Sequence, residues 1–233
     1  MRLHATLRLL LTALLTAGIG STFRLRAAED GKPLRTLFTA GGSRVKTLDP
    51  AQADDLASRN MIGAVYDTLL QYDYTARPYR LIPSMLAELP RVNETLDVYT
   101  FRLRDDLRFA DDPCFREDPG ARRITARDFI YSVLRIADAR NHSPVYWLFR
   151  GKIRGLDEFH RRTAVAEPGD LSVYEPFPEG FEVIDDLNFR IRLVKPDPRF
   201  SYMLAMPNAG VVSRRAVEFY GMDLARHPVG SGP

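Results

Sequence analysis

Two short segments, residues 98–104 and 188–193, carry the same alternation of residue types, and this constrains the fold more than any other feature. In the first, Tyr99, Phe101 and Leu103 point one way while Thr100, Arg102 and Arg104 point the other. In the second, Phe189, Ile191 and Leu193 oppose Arg190 and Arg192. A period of two marks a strand with one buried and one solvated face. Such strands belong to an antiparallel or mixed sheet, since an all-parallel sheet is covered on both sides. With 233 residues, 45% of them hydrophobic, the chain holds enough apolar material for one large domain or two small ones, and its composition is not that of a disordered chain.

Helical periodicity fills the intervals. Met61, Ile62, Val65, Tyr66, Leu69 and Leu70 make one apolar face, which predicts a helix over residues 58–70. Residues 71–80 are polar and contain Pro78, so the helix is expected to end there. Residues 81–88 read as a short apolar connection with a single helical turn. Thr125 with Asp128 three residues on is a variant capping box, and Phe129, Ile130, Val133, Leu134 and Ala137 form the buried stripe of the helix it starts. A further helical stretch is expected over residues 145–159, interrupted near Gly151 and Gly155. Residues 167–180, rich in proline, glycine and acid, read as a surface loop. Ser213 caps a last helix containing Ala216, Val217, Phe219 and Tyr220, with Gly221 as its stop. No solenoid repeat and no low-complexity tract is present, and the closing residues 227–233 do not resemble a natural domain end.

The first 28 residues are read as an export signal. Arg2 and Arg8 precede an uncharged apolar run, residues 9–20, too short to cross a bilayer comfortably. Ala27-Ala28 marks the cleavage neighbourhood, with Arg26 an awkward neighbour for it; an uncleaved N-terminal anchor is the alternative. Arg2, Arg8, Arg24 and Arg26 also account for the formal net charge of +3, so the body is near neutral and nothing marks a nucleic-acid binder. Cys114 is the single cysteine, so no intrachain disulfide forms, and no lipid-anchoring cysteine follows the signal. The expected location is the periplasm.

A strand-like run, residues 34–40, leads into Gly41-Gly42-Ser43-Arg44-Val45-Lys46-Thr47-Leu48-Asp49-Pro50. Pro50 stops it by fixing φ and holding its predecessor extended. Two glycines in an extended segment leave a bare backbone edge able to pair with another extended chain; an ordinary strand-to-turn connection is the simpler alternative. Reactive chemistry is sparse. His4, His142, His160 and His227 show no ligand spacing. Asp105, Asp106, Asp111 and Asp112 lack the spacing and glycine of a calcium loop and read as a solvated loop. Gly230-Ser231-Gly232 falls short of a nucleophile elbow because Val229 occupies the first glycine position. No metal and no cofactor are expected. Two glycosylation sequons, Asn93-Glu94-Thr95 and Asn141-His142-Ser143, are irrelevant to a bacterial route.

In order, several segments resemble one family. They are Leu48-Asp49-Pro50; Val65-Tyr66-Asp67-Thr68-Leu69-Leu70; Ile82-Pro83-Ser84-Met85-Leu86-Ala87-Glu88; Tyr99-Thr100-Phe101-Arg102-Leu103-Arg104; and Ile124-Thr125-Ala126-Arg127-Asp128-Phe129-Ile130-Tyr131-Ser132. Asp185-Asp186-Leu187-Asn188-Phe189-Arg190-Ile191-Arg192-Leu193, Lys195-Pro196-Asp197-Pro198 and Pro228-Val229-Gly230-Ser231-Gly232-Pro233 complete the series. Over nearly all of the mature chain this resembles the N-terminal part of family 5 extracellular solute-binding proteins, the oligopeptide- and dipeptide-binding components of ABC importers. One departure lies at Phe109-Ala110-Asp111-Asp112, which lacks the family's glycine and is followed by an extra loop through Gly120. Another is length, since family members continue past the closing Gly-x-Gly-Pro into a later lobe.

The resemblance implies an α/β fold: an incomplete ligand lobe of the type II periplasmic-binding-protein kind with an inserted α+β second domain. Lobe I would comprise residues 29–55 and 184–233, and the inserted domain II residues 56–183. It further implies a non-catalytic, monomeric binder of short peptides that meets ABC permease subunits at the membrane. Ser43, Arg44 and Val45 are the expected ligand-binding residues, chiefly through main-chain contacts, with Arg44 able to meet a ligand carboxylate. The chain is expected to be a truncated form. An exported hydrolase with a dispersed active site and an inactive gene fragment are the competing readings.

Overall fold

In the computed structural model, which describes residues 43–232, the two alternating segments pair directly with each other. The export signal, the run over residues 34–40 and Gly41-Gly42 lie outside the described residues. Along the chain come α1 (Leu56–Ile62), β1 (Leu70–Tyr72), β2 (Leu81–Pro83), β3 (Arg91–Val92), β4 (Val98–Arg102), α2 (Ala126–Ala137), α3 (Leu156–Ala164), β5 (Phe181–Val183), β6 (Asn188–Arg192), α4 (Phe200–Met203) and α5 (Arg214–Tyr220). β1 and β2 form a separate hairpin. The main sheet is antiparallel throughout, in the order β3-β4-β6-β5. None of the described helices is long and apolar enough to cross a membrane.

The register sets Tyr99 opposite Ile191 and Phe101 opposite Phe189, all buried. Their rings continue into α2 and α4. The Phe101–Phe189 centroids are 4.9 Å apart, Phe129–Phe189 5.3 Å and Tyr99–Phe200 5.2 Å. Offset and tilted aromatic packing of this kind adds about 0.5–1.5 kcal/mol per pair beyond area burial. On the other face, Arg190 and Arg192 share Glu182 across the β5–β6 pair. α2 starts as the capping box demands. The Asp128 carboxylate accepts from the Thr125 N–H and hydroxyl, each at 2.8 Å, while burial pushes the pKa of Asp128 up despite those bonds. The helix is buried along most of its length, including all five residues of the expected stripe.

Two expectations are corrected. The helix of residues 58–70 is only α1, which ends at Gly63, and Leu70 belongs to β1. Ile62, Tyr66, Leu69 and Leu70 are buried without a continuous helix, while Met61 stays exposed: the Val65 carbonyl accepts from Gly232 N–H at 2.9 Å, and Leu70 pairs with Pro83. Residues 81–88 are extended, not a helical turn. Beyond β2, Ser84 and Met85 donate to Leu69 and Thr68, and Ala87 donates to Arg102, so this stretch zips the hairpin to β4. The helical stretch expected over residues 145–159 is interrupted where the glycines predicted: a single turn at Tyr146–Leu148 and α3 are separated by Gly151 and Gly155, which hold φ of +68° and +73°. The loop of residues 167–180 is mostly exposed, yet Tyr174 is buried and donates to Asp138 at 2.9 Å.

The β1–β2 turn carries a direct test. Asp73 accepts from the Thr75 hydroxyl at 2.7 Å, the Thr75 N–H at 3.0 Å and Arg80 Nε at 2.9 Å. The Thr75 hydroxyl, then Arg80, lower its pKa to about 2. A depressed carboxyl supports the fold above its unfolded value, and that support is lost as pH falls from about 4 to about 2. Carboxyl NMR should find Asp73 titrating near the lower limit, and Thr75→Val should move it back toward the ordinary aspartate value.

Candidate functional site

The chain enters its body through a turn held from several directions. Asp49 and Arg135 are both buried and form a bidentate ion pair, Nη1–Oδ1 2.5 Å and Nη2–Oδ2 2.6 Å. Two parallel N–H···O bonds match the guanidinium fork to the carboxylate. Burial disfavours the Arg135 charge, but the Asp49 hydrogen bonds and charge outweigh it and its pKa is raised. Asp49 also accepts from Ala51 N–H at 3.0 Å. Asn208 Nδ2 donates to the carbonyls of Pro50 and Ala53, both at 2.9 Å, and Ser143 donates to Ala51 O at 2.6 Å. Leu48 N–H reaches Ala225 O at 2.9 Å. The backbone polar groups of a buried turn are thereby satisfied, as burial requires.

The anchored turn leaves exposed chain on both sides. Upstream, Ser43, Arg44 and Val45 are exposed, and among the described residues they make no backbone hydrogen bonds and belong to no strand. Lys46 and Thr47 donate to Ser58 Oγ at 3.0 and 3.3 Å. Ser58 in turn donates to Asp55, the α1 cap, whose pKa is lowered chiefly by the Ser58 N–H. Downstream, Leu56 is 67% exposed and Met61 47%. Leu56 and Met61 were not singled out as site residues; their exposure on α1 is a tertiary fact that apolarity alone would have misread as core.

Nothing catalytic converges among the described residues. No group of three potential metal ligands occurs there. Cys114 is buried, and burial followed by Asp112 pushes its thiol up to about 12, so it stays protonated and unreactive. Ser231 donates to Asp67 at 3.0 Å, and no histidine shares that bond among the described residues. The glycine beside it has a structural task. A Cβ on Gly230 would sit 1.9 Å from the Val65 carbonyl oxygen, while the Gly230 carbonyl accepts from Ala110 N–H at 2.8 Å. The Gly-x-Gly motif is thus a place of close backbone approach.

Residues 80–233 match the family model "Bacterial extracellular solute-binding proteins, family 5 Middle". The periplasmic oligopeptide-binding protein OppA of Salmonella typhimurium is 28% identical over 214 residues, 91% of this chain and 35% of that protein. The glutathione-binding protein GsiB of Escherichia coli O6:K15:H31 is 27% identical over 222 residues, 95% of this chain and 35% of that protein. A solved periplasmic oligopeptide-binding protein from Borrelia burgdorferi superposes with a TM-score of 0.65 at 25% identity, over 82% of this chain and 34% of that one. The chain spans about a third of the length of the curated relatives it matches. Its fold is accordingly a partial type II binding-protein fold. Matched over most of its length by that family model, the chain belongs to the bacterial extracellular solute-binding proteins of family 5.

Proposed function

We propose that the chain supplies one wall of a cleft that binds short peptides, non-covalently, for delivery to the permease of an ABC importer. The observation that carries this reading is the exposed backbone of Ser43, Arg44 and Val45, which makes no hydrogen bond among the described residues and runs in sequence into a turn whose Asp49 is locked to Arg135. An extended peptide has unpaired N–H and C=O groups, and such an edge satisfies them whatever the side chains. The names of the relatives, oligopeptide-binding and glutathione-binding, support short peptides as the class. On this reading the exposed Arg44 meets a ligand carboxylate. The same reading assigns residues 29–55 and 184–233 to the ligand lobe and 56–183 to an inserted domain, although the boundary at 183/184 falls inside the β5–β6 hairpin. It takes residues 1–28 as a signal to the periplasm and the binder as a monomer.

Because the relatives are about three times as long, we place the opposite wall of the cleft outside these residues. Calorimetric titration of the 233-residue chain with pooled random tripeptides is then expected to show no saturable heat below about 1 mM. Micromolar binding by this chain would overturn the two-walled reading.

A further inference from the structure

A cavity of about 650 Å³ opens between the end of α2, the turn after it and α3. That volume lies in the range of small-molecule sites. None of the residues Ser43–Val45 lines it. Ile136 and Ala164 contribute to an apolar side, and Arg140, His142, His160 and Tyr146 to a polar one; no described carboxylate lines it.

The polar side is held rigidly. His160 Nδ1 lies 2.7 Å from the Ala137 carbonyl, which can only accept, so Nδ1 carries the proton and Nε2 is the ring's uncommitted atom. The His160 ring stacks on Tyr146 at 4.2 Å, and Tyr146 is pinned through its hydroxyl to Asp157 at 2.5 Å. His142 sits in the left-handed region, φ +46°, a conformation uncommon for a side-chain-bearing residue. The adjoining Asn141 secures it, donating to Arg135 O at 2.8 Å and accepting from Gln52 at 2.6 Å. Arg140 donates through Nε and Nη2 to Asp138 and through Nη1 to the Glu167 and Asp170 carbonyls. Of its five N–H groups these use four, which leaves one on Nη2. One guanidinium N–H left over on Arg140, itself paired with Asp138 at 2.7 Å, faces an apolar wall and suits a molecule that joins a carboxylate to a hydrocarbon body.

We propose that this cavity is a second binding site, distinct from the peptide-facing edge, which takes a small organic carboxylate with an apolar body. Arg140 receives the carboxylate through that remaining N–H, and the apolar side receives the body. Benzoate is the probe and benzamide its neutral counterpart, titrated into the 233-residue chain and followed by amide NMR. Benzoate should shift signals around His160 and Ala164 saturably with a Kd of about 1 mM or tighter, and benzamide should bind at least about tenfold more weakly. Ala164→Trp, at an exposed position, fills the cavity and should weaken benzoate at least about tenfold. The proposal is overturned if benzoate gives no saturable shift, if benzamide binds equally well, or if Ala164→Trp binds benzoate like the parent chain.

Discussion

Replacing Arg135 by methionine is expected to cost about 3–5 kcal/mol of folding stability, read as a lower urea midpoint with an unchanged slope. The reason is what it leaves behind. Asp49 is only 4% exposed, and without the guanidinium its carboxylate keeps the Ala51 N–H and loses both short bonds. A buried carboxylate without its counter-charge carries its full desolvation penalty. The intact pair contributes far less than this figure, because burying two charges also opposes folding. The double replacement Asp49→Leu with Arg135→Met should therefore regain most of the loss. A loss below about 1 kcal/mol for Arg135→Met would show that water reaches Asp49.

Phe189→Ala is expected to have a comparable effect, about 3–5 kcal/mol. Phe189 is fully buried between Phe101 at 4.9 Å and Phe129 at 5.3 Å, and so joins β4, β6 and α2. Truncation leaves a cavity where three elements meet, and rigid neighbours on all sides limit collapse. The adjacent residue is the control. Arg190 faces the other side of the same strand, and its pair with Glu182 is well solvated on both partners. Arg190→Ala should change stability by no more than about 1 kcal/mol. Equal losses for the two variants in urea titrations would contradict the observed orientation of β6.

The contrast between Phe189 and Arg190 was legible in the sequence because alternation is local. Each side chain's direction depends only on its neighbours along the strand. The α2 capping box and the Ser213 cap of α5 were legible for the same reason, as each spans three residues. Where local spacing admitted two solutions, the sequence reading went astray. The apolar positions from Met61 to Leu70 fit a helical face, but the Val65 carbonyl is taken by Gly232 and Leu70 by the hairpin. Neither competitor is near in sequence. Residues 81–88 went the same way: nothing local to them reveals the pairing of Pro83 opposite Leu70 that makes their start a strand.

The candidate site divides along the same line. The sequence by itself determined that α2 starts at Thr125 and that Tyr99, Phe101, Phe189 and Ile191 face the core. It did not disclose that Asp49 and Arg135, 86 positions apart, are partners, nor that Asn208 closes on the carbonyls of Pro50 and Ala53. It marked Gly230 as a weak motif residue, while the fold makes it the point where one backbone lies against another. Propensity, capping and alternation are settled within a few residues of chain. Charge pairing in a dry interior and contact between two backbones are settled only when distant segments share one place, and that is a property of the tertiary structure.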